Sequence, residues 1–86
     1  MEDIIYPNPN TGKFNLEFCM EDLKEKSVVI EIINTVGKII YNKIPPKNNG
    51  CIHEAIELDS DLPTGIYTLK VSIDGKIKTS KILLTR

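Results

Sequence analysis

From Tyr67 to Ile73 the chain alternates apolar and polar residues up to a single Asp-Gly pair, and a second β-rich run follows it to Leu84. Tyr67, Leu69, Val71 and Ile73 interleave with Thr68, Lys70 and Ser72, and Asp74-Gly75 then turns the chain back. Period two is the period of a strand, because successive side chains point to opposite faces. Asp-Gly suits a two-residue type I′ turn, in which both central residues take positive φ. That turn pairs Ile73 with Lys76, Leu69 with Ser80 and Tyr67 with Ile82. Ile82 and Leu84 then face inward, with Lys81 and Leu83 outward; a one-residue bulge would reverse the last strand.

The rest of the chain follows the same pattern of short β-rich runs and turn residues. Ile4-Ile5-Tyr6 is a brief first strand, stopped by Pro7-Asn8-Pro9-Asn10-Thr11-Gly12, a stiff loop with Gly12 free to take positive φ. Phe14, Leu16 and Phe18 alternate with Asn15 and Glu17 in a one-sided strand. Met20 to Lys26 is a charged connection with room for a helical turn. Ser27 to Ile33 is almost wholly apolar apart from Glu31, which predicts a central strand covered on both faces. Asn34-Thr35-Val36-Gly37 turns the chain into a returning strand, Lys38 to Ile44, ended by Pro45-Pro46. After a polar loop closed by Asn49-Gly50, a fifth strand runs from Ile52 to Leu58, with Ile52, Ile56 and Leu58 on one parity. Asp59 to Gly65 is a second rigid connection, in which a tight entry after Pro63 predicts positive φ at Gly65. The strands predict an all-β fold: one domain over residues 1–86, an immunoglobulin-like antiparallel β-sandwich of about seven short strands.

Size and charge narrow the function. A chain of 86 residues buries only roughly 60–65% of the surface it exposes when unfolded. Eleven basic against twelve acidic residues leave a net charge of −1, without the basic face of a nucleic-acid domain. The longest apolar runs, such as Val28-Val29-Ile30 and Ile82-Leu83-Leu84, are far too short to span a bilayer. The acidic start Met1-Glu2-Asp3 does not resemble a leader peptide.

Residues for chemistry are sparse. His53, the single histidine, stands beside Glu54 on a strand and reads as solvated. Neither a nucleophile at motif spacing nor a phosphate-binding glycine loop occurs, so no enzyme activity is expected. Asn8-Pro9-Asn10 and Asp59-Ser60-Asp61 offer oxygen ligands, but fewer than calcium requires, and such residues are common in turns. No cofactor or metal is expected. Bridging Cys19 to Cys51 would be worth ~3 kcal/mol. No spacing rule pairs them, however, and the sequence favours two separate thiols. Lys76, Lys78 and Lys81 form a basic edge of the kind that discourages sheet-to-sheet aggregation.

Three stretches resemble one family. Tyr6-Pro7-Asn8-Pro9-Asn10-Thr11-Gly12-Lys13-Phe14 is similar to the opening motif of type IX (Por) secretion system C-terminal sorting domains, a strand followed by a Pro-x-Pro-x-x-Gly loop. Asn34-Thr35-Val36-Gly37-Lys38 resembles the middle hairpin of that family. Leu62-Pro63-Thr64-Gly65-Ile66-Tyr67-Thr68-Leu69-Lys70-Val71, followed by Asp74-Gly75-Lys76, resembles its most distinctive motif. The chain then ends on Lys81-Ile82-Leu83-Leu84-Thr85-Arg86, as that family does. The cysteines lie outside the family pattern.

The resemblance implies a non-catalytic fragment of a larger secreted precursor, folded in the periplasm on its way to the outer membrane and cell surface. Its partners would be the preceding passenger domain, the outer-membrane translocon, and a sortase that cuts before Ile4. Lys81 to Arg86 would be the recognised segment, with an exposed terminal edge open to strand addition. The same edge would also admit weak or domain-swapped dimers. Pro7, Asn8, Pro9, Gly12, Gly37, Gly65, Ile66, Tyr67, Leu69, Val71 and Gly75 would be the motif residues that shape the domain. A competing class, an adhesion or carbohydrate-binding module of a secreted protein, would call for an aromatic platform, and the chain has three tyrosines and no tryptophan.

Overall fold

Two antiparallel sheets pack face to face in a computed structural model that describes residues 4–47 and 49–86. The acidic start Met1-Glu2-Asp3 and Asn48 of the polar loop lie outside the described residues. The strands are β1 (Ile4–Tyr6), β2 (Lys13–Cys19), β3 (Val28–Ile33), β4 (Ile39–Lys43), β5 (Cys51–Glu57), β6 (Gly65–Ile73) and β7 (Lys76–Leu84), with one 3-10 turn at Leu23–Glu25. One sheet has the order β1-β2-β5 and the other β4-β3-β6-β7. The chain therefore crosses between layers after β2, β4 and β5, the Greek-key habit of immunoglobulin-like sandwiches.

Alternation decides which side chains meet between the layers. Phe14, Leu16 and Phe18 of β2 face Ile30, Ile32, Leu69, Val71 and Ile82 from the other sheet's inner positions, all buried. The β6–β7 hairpin adopts the type I′ turn, with φ of 48° at Asp74 and 84° at Gly75. Its register pairs Ile73 with Lys76, Leu69 with Ser80 and Tyr67 with Ile82. Accordingly Ile82 and Leu84 are buried while Lys81 and Leu83 are exposed. The Tyr67 hydroxyl donates to the Pro63 carbonyl at 2.6 Å, a tyrosine corner at the entry to β6.

Two expectations need correction. β3 is central, but its apolar run is buried on one face only: Val28, Ile30 and Ile32 are buried, whereas Val29, Glu31 and Ile33 are half-buried. A two-layer sandwich has no third layer to cover the outer side. On β5 the inward parity of Ile52 and Ile56 includes Glu54, which is 5% exposed. Its carboxylate accepts from the Lys43 ammonium on β4, so the stacked edges of the two sheets are tied by an ion pair.

The second correction concerns the cysteines. Cys19 and Cys51 are directly opposite in the β2–β5 register and form a disulfide, their Cα atoms 4.1 Å apart. Strand pairing over a sequence separation of 32 residues brings them together. No local spacing rule encodes such a contact.

Candidate functional site

The Pro-rich opening loop is bonded to the last strand. Both Tyr6-Pro7 and Asn8-Pro9 are cis, and the loop follows β1 along the outer edge of β7. Asn8 uses its side-chain amide as a peptide group would. Its Nδ2 donates to the Lys81 carbonyl at 2.9 Å, and its Oδ1 accepts from the Leu83 amide at 2.9 Å. Asn10 continues with its own backbone: its N–H donates to the Leu83 carbonyl at 3.0 Å, and its carbonyl accepts from the Thr85 amide at 2.7 Å. The outer edge of β7 is therefore occupied from Lys81 onward, contrary to the exposed terminal edge that the sequence suggests.

Asn10 holds the loop in shape. It is 4% exposed; its Oδ1 accepts from the Gly12 amide at 2.9 Å and its Nδ2 donates to the Pro7 carbonyl at 3.1 Å. This Asx turn leads into Gly12, whose φ is +117°. A Cβ at Gly12 would lie 2.9 Å from Nη2 of Arg86. The backbone conformation is what requires glycine here, since the nearby atom is the far end of the flexible Arg86 side chain.

The connection before β6 closes the same end of the sandwich. The Arg86 amide donates to the Thr64 hydroxyl at 2.9 Å, and Nη2 of Arg86 donates to the Asp59 carbonyl at 2.7 Å. The Leu58 amide donates to the Gly12 carbonyl at 2.7 Å. Gly65 opens β6 opposite Leu84, and Ile66 stands opposite Leu83. Gly65 has the positive φ expected of it, +159°, close to the border of extended space, and a Cβ there would meet open space.

The residues of interest separate by burial. Of the last six, Ile82 and Leu84 are core, whereas Lys81, Leu83, Thr85 and Arg86 face solvent. Ile66, 52% exposed, and Leu83, 38% exposed, form an apolar cross-strand pair on the outer sheet face. Beside it the Lys81 ammonium reaches the Thr68 hydroxyl at 3.3 Å. Pro7, Asn8 and Pro9 border the same strand end and are exposed. Tyr67, Leu69 and Val71 are core beneath it. Gly37 sits in the exposed β3–β4 turn, two strands away from β7. Gly75 lies at the opposite end, in the β6–β7 turn.

Asn10, Thr64 and Asp59 are the contributors that sequence reasoning left out of the site. An Asn two residues before a Gly is a legible Asx-turn signal, so Asn10 was within reach. Thr64 and Asp59 act through contacts to Arg86 that no local pattern announces.

A search of curated proteins finds no match. The family model described as "Secretion system C-terminal sorting domain" matches residues 4–85, which includes the loop, the turn before β6 and the final strand. The chain belongs to the family of C-terminal sorting domains of the type IX secretion system, whose members mark proteins for passage to the cell surface or the extracellular space.

Proposed function

We propose that this domain is the export signal of a passenger fused to its N-terminal side, and that the recognised surface is the end built from Pro7–Gly12 and Lys81–Arg86. The observation behind this reading is the bonding between Asn8 and Lys81, 73 positions apart in sequence, and between Asn10 and Thr85, 75 apart. The two motifs that open and close the chain form one surface. A receptor reading this surface reads a folded domain and not a linear tail. On this reading the passenger crosses the periplasm, the folded domain docks on the outer-membrane translocon, and a sortase cuts upstream of Ile4. The domain is then a substrate of that chemistry and catalyses nothing itself.

The chemistry on offer suits a protein receptor: an apolar pair, Ile66 and Leu83, flanked by the cations of Lys81 and Arg86. A sugar platform is less well supported, since Tyr6 is the one aromatic among the large exposed apolar side chains of the described residues.

The test fuses the domain to a fluorescent passenger with a cleavable leader, in a bacterium that has the type IX system. Lys81→Ala removes an exposed charge whose loss changes stability by no more than about 0.5 kcal/mol. Lys81→Ala and the pair Lys81→Ala with Arg86→Ala are expected to leave the passenger in the periplasm while the purified domain stays folded. Normal export of both variants removes these side chains from the recognised surface. Normal export with the whole domain deleted ends the sorting reading.

A further inference from the structure

Burial places the disulfide on the outside of the sandwich. On β2 the inward positions are Phe14, Leu16 and Phe18, and on β5 they are Ile52, Glu54 and Ile56. Cys19 and Cys51 stand one residue out of phase with those sets, so they project from the outer face of the three-stranded sheet. Cys19 is exposed and Cys51 half-buried. The next outer pair along the strands is Glu17 and His53, with Oε1 2.9 Å from Nδ1. Both cysteines also line a surface depression of about 640 Å³ between the Met20–Lys24 segment and Asn49-Gly50. A disulfide in the core is shielded from attack by packing. This one has an exposed cysteine and lines an open depression, and access to sulfur is one of the factors that sets the rate of thiol–disulfide exchange.

Its place in the topology gives the bond leverage. Cys19 is the last residue of β2 and Cys51 the first of β5, so the bond clamps the open end of that strand pair. Between them the chain leaves the sheet, makes the 3-10 turn, builds β3 and β4 in the other layer, and returns. Beyond the clamp the Met20 amide donates to the Gly50 carbonyl at 3.0 Å, and Leu23 is buried in the core.

We propose that Cys19–Cys51 is a thiol–disulfide exchange site that takes a dithiol as co-reactant, and that its redox state sets how firmly the β2–β5 end is held. In the forward direction a thiolate of the dithiol attacks Sγ of Cys19. The protein S–S bond breaks, and Cys51 leaves as a thiolate and takes a proton. The reagent's second thiolate then attacks its own sulfur in the mixed disulfide and releases the Cys19 thiolate, which is protonated in turn. Two electrons pass from the dithiol to the protein, and the dithiol becomes a disulfide. Oxidation by a disulfide of a more oxidising couple reverses each step. The consequence for export rests on the sorting reading. The chain is a dithiol in a reducing cytoplasm and becomes clamped in the oxidising compartment where folded sorting domains are needed.

The experiment uses the purified oxidised domain and dithiothreitol as the probe, in native buffer without denaturant. Thiols are counted over time by quenched alkylation and mass spectrometry, and melting is followed by circular dichroism. Two thiols are expected to appear at a rate proportional to the dithiothreitol concentration. Reduction is expected to lower Tm by about 10 °C or more, and reoxidation to restore it. Cys19→Ala with Cys51→Ala should melt like the reduced protein whether or not dithiothreitol is present; outright unfolding on reduction is the same result carried further. Thiols that appear at a rate independent of dithiothreitol, set by global unfolding, overturn the exchange site. A Tm that does not move on reduction overturns the clamp. Both readouts are taken on the isolated domain, so their failure leaves the sorting reading standing, and normal export without the domain leaves the exchange site standing.

Discussion

Replacing Asn10 by alanine tests the idea that one buried amide holds the opening loop on the final strand. Asn10→Ala removes the acceptor for the Gly12 amide and the donor to the Pro7 carbonyl. Gly12 is buried, so its N–H loses its bond to Asn10 without water to replace it, which costs about 1–3 kcal/mol. Pro7 is exposed and its carbonyl is resolvated, so that bond adds about 0.5–1 kcal/mol. Together the loss is about 1.5–4 kcal/mol, or roughly 6–30 °C of Tm for a domain of this size. Asn8→Ala is the matched control. It also removes two bonds, to the Lys81 carbonyl and the Leu83 amide, but at an exposed position where water replaces both, and about 1 kcal/mol is expected. The assay is urea unfolding at constant slope, with the disulfide kept oxidised in every sample. Asn10→Ala should fall well below Asn8→Ala. If the two variants lose equal stability, or if Asn10→Ala stays within about 0.5 kcal/mol of wild type, the buried Asx turn is not what fastens the loop.

Gly12→Ala should cost about 1–3 kcal/mol through its backbone conformation, and by urea unfolding the same cost should persist in an Arg86→Ala background, because the Arg86 side chain can swing aside; disappearance of the cost there would show that the clash was its cause. Lys43→Ala should destabilise the fold by stranding the buried Glu54 carboxylate. Glu54→Leu should be neutral or stabilising, and the reverse order in chemical denaturation would refute this account of the edge pair. The alkaline limb also has a sign. A hydrogen bond to Glu54 holds the Lys43 ammonium above its ordinary 10.5, burial lifts Tyr41 above 10.0, and a hydrogen bond to Glu17 lifts Tyr6. In each case the folded state keeps a proton that the unfolded chain releases, so this stability is present below the ordinary values and is lost as pH rises through the raised ones. Urea midpoints should therefore decline above about pH 10, and a midpoint that climbs through that range contradicts the assignment.

Local chemistry was enough for the strands and for the register of the last hairpin. The alternation from Tyr67 to Ile73 assigns faces, and Asp74-Gly75 admits a turn that pairs Ile73 with Lys76, so Lys81 and Leu83 point outward without reference to the rest of the molecule. The features that tertiary structure decided all join residues distant in sequence. Nothing near Cys19 identifies Cys51; the β2–β5 register brings them together on the outer face. Glu54 has the parity of Ile52 and Ile56, and only the stacking of β5 against β4 supplies the lysine that makes an inward carboxylate tolerable. The prolines and asparagines of the opening loop announce a turn, but a turn can lie anywhere on a surface. That this one lies along β7 and covers its edge from Lys81 onward depends on which strands share a side of the sandwich. Periodicity is a property of neighbours and survives in the linear sequence, whereas edge pairing depends on how the layers stack.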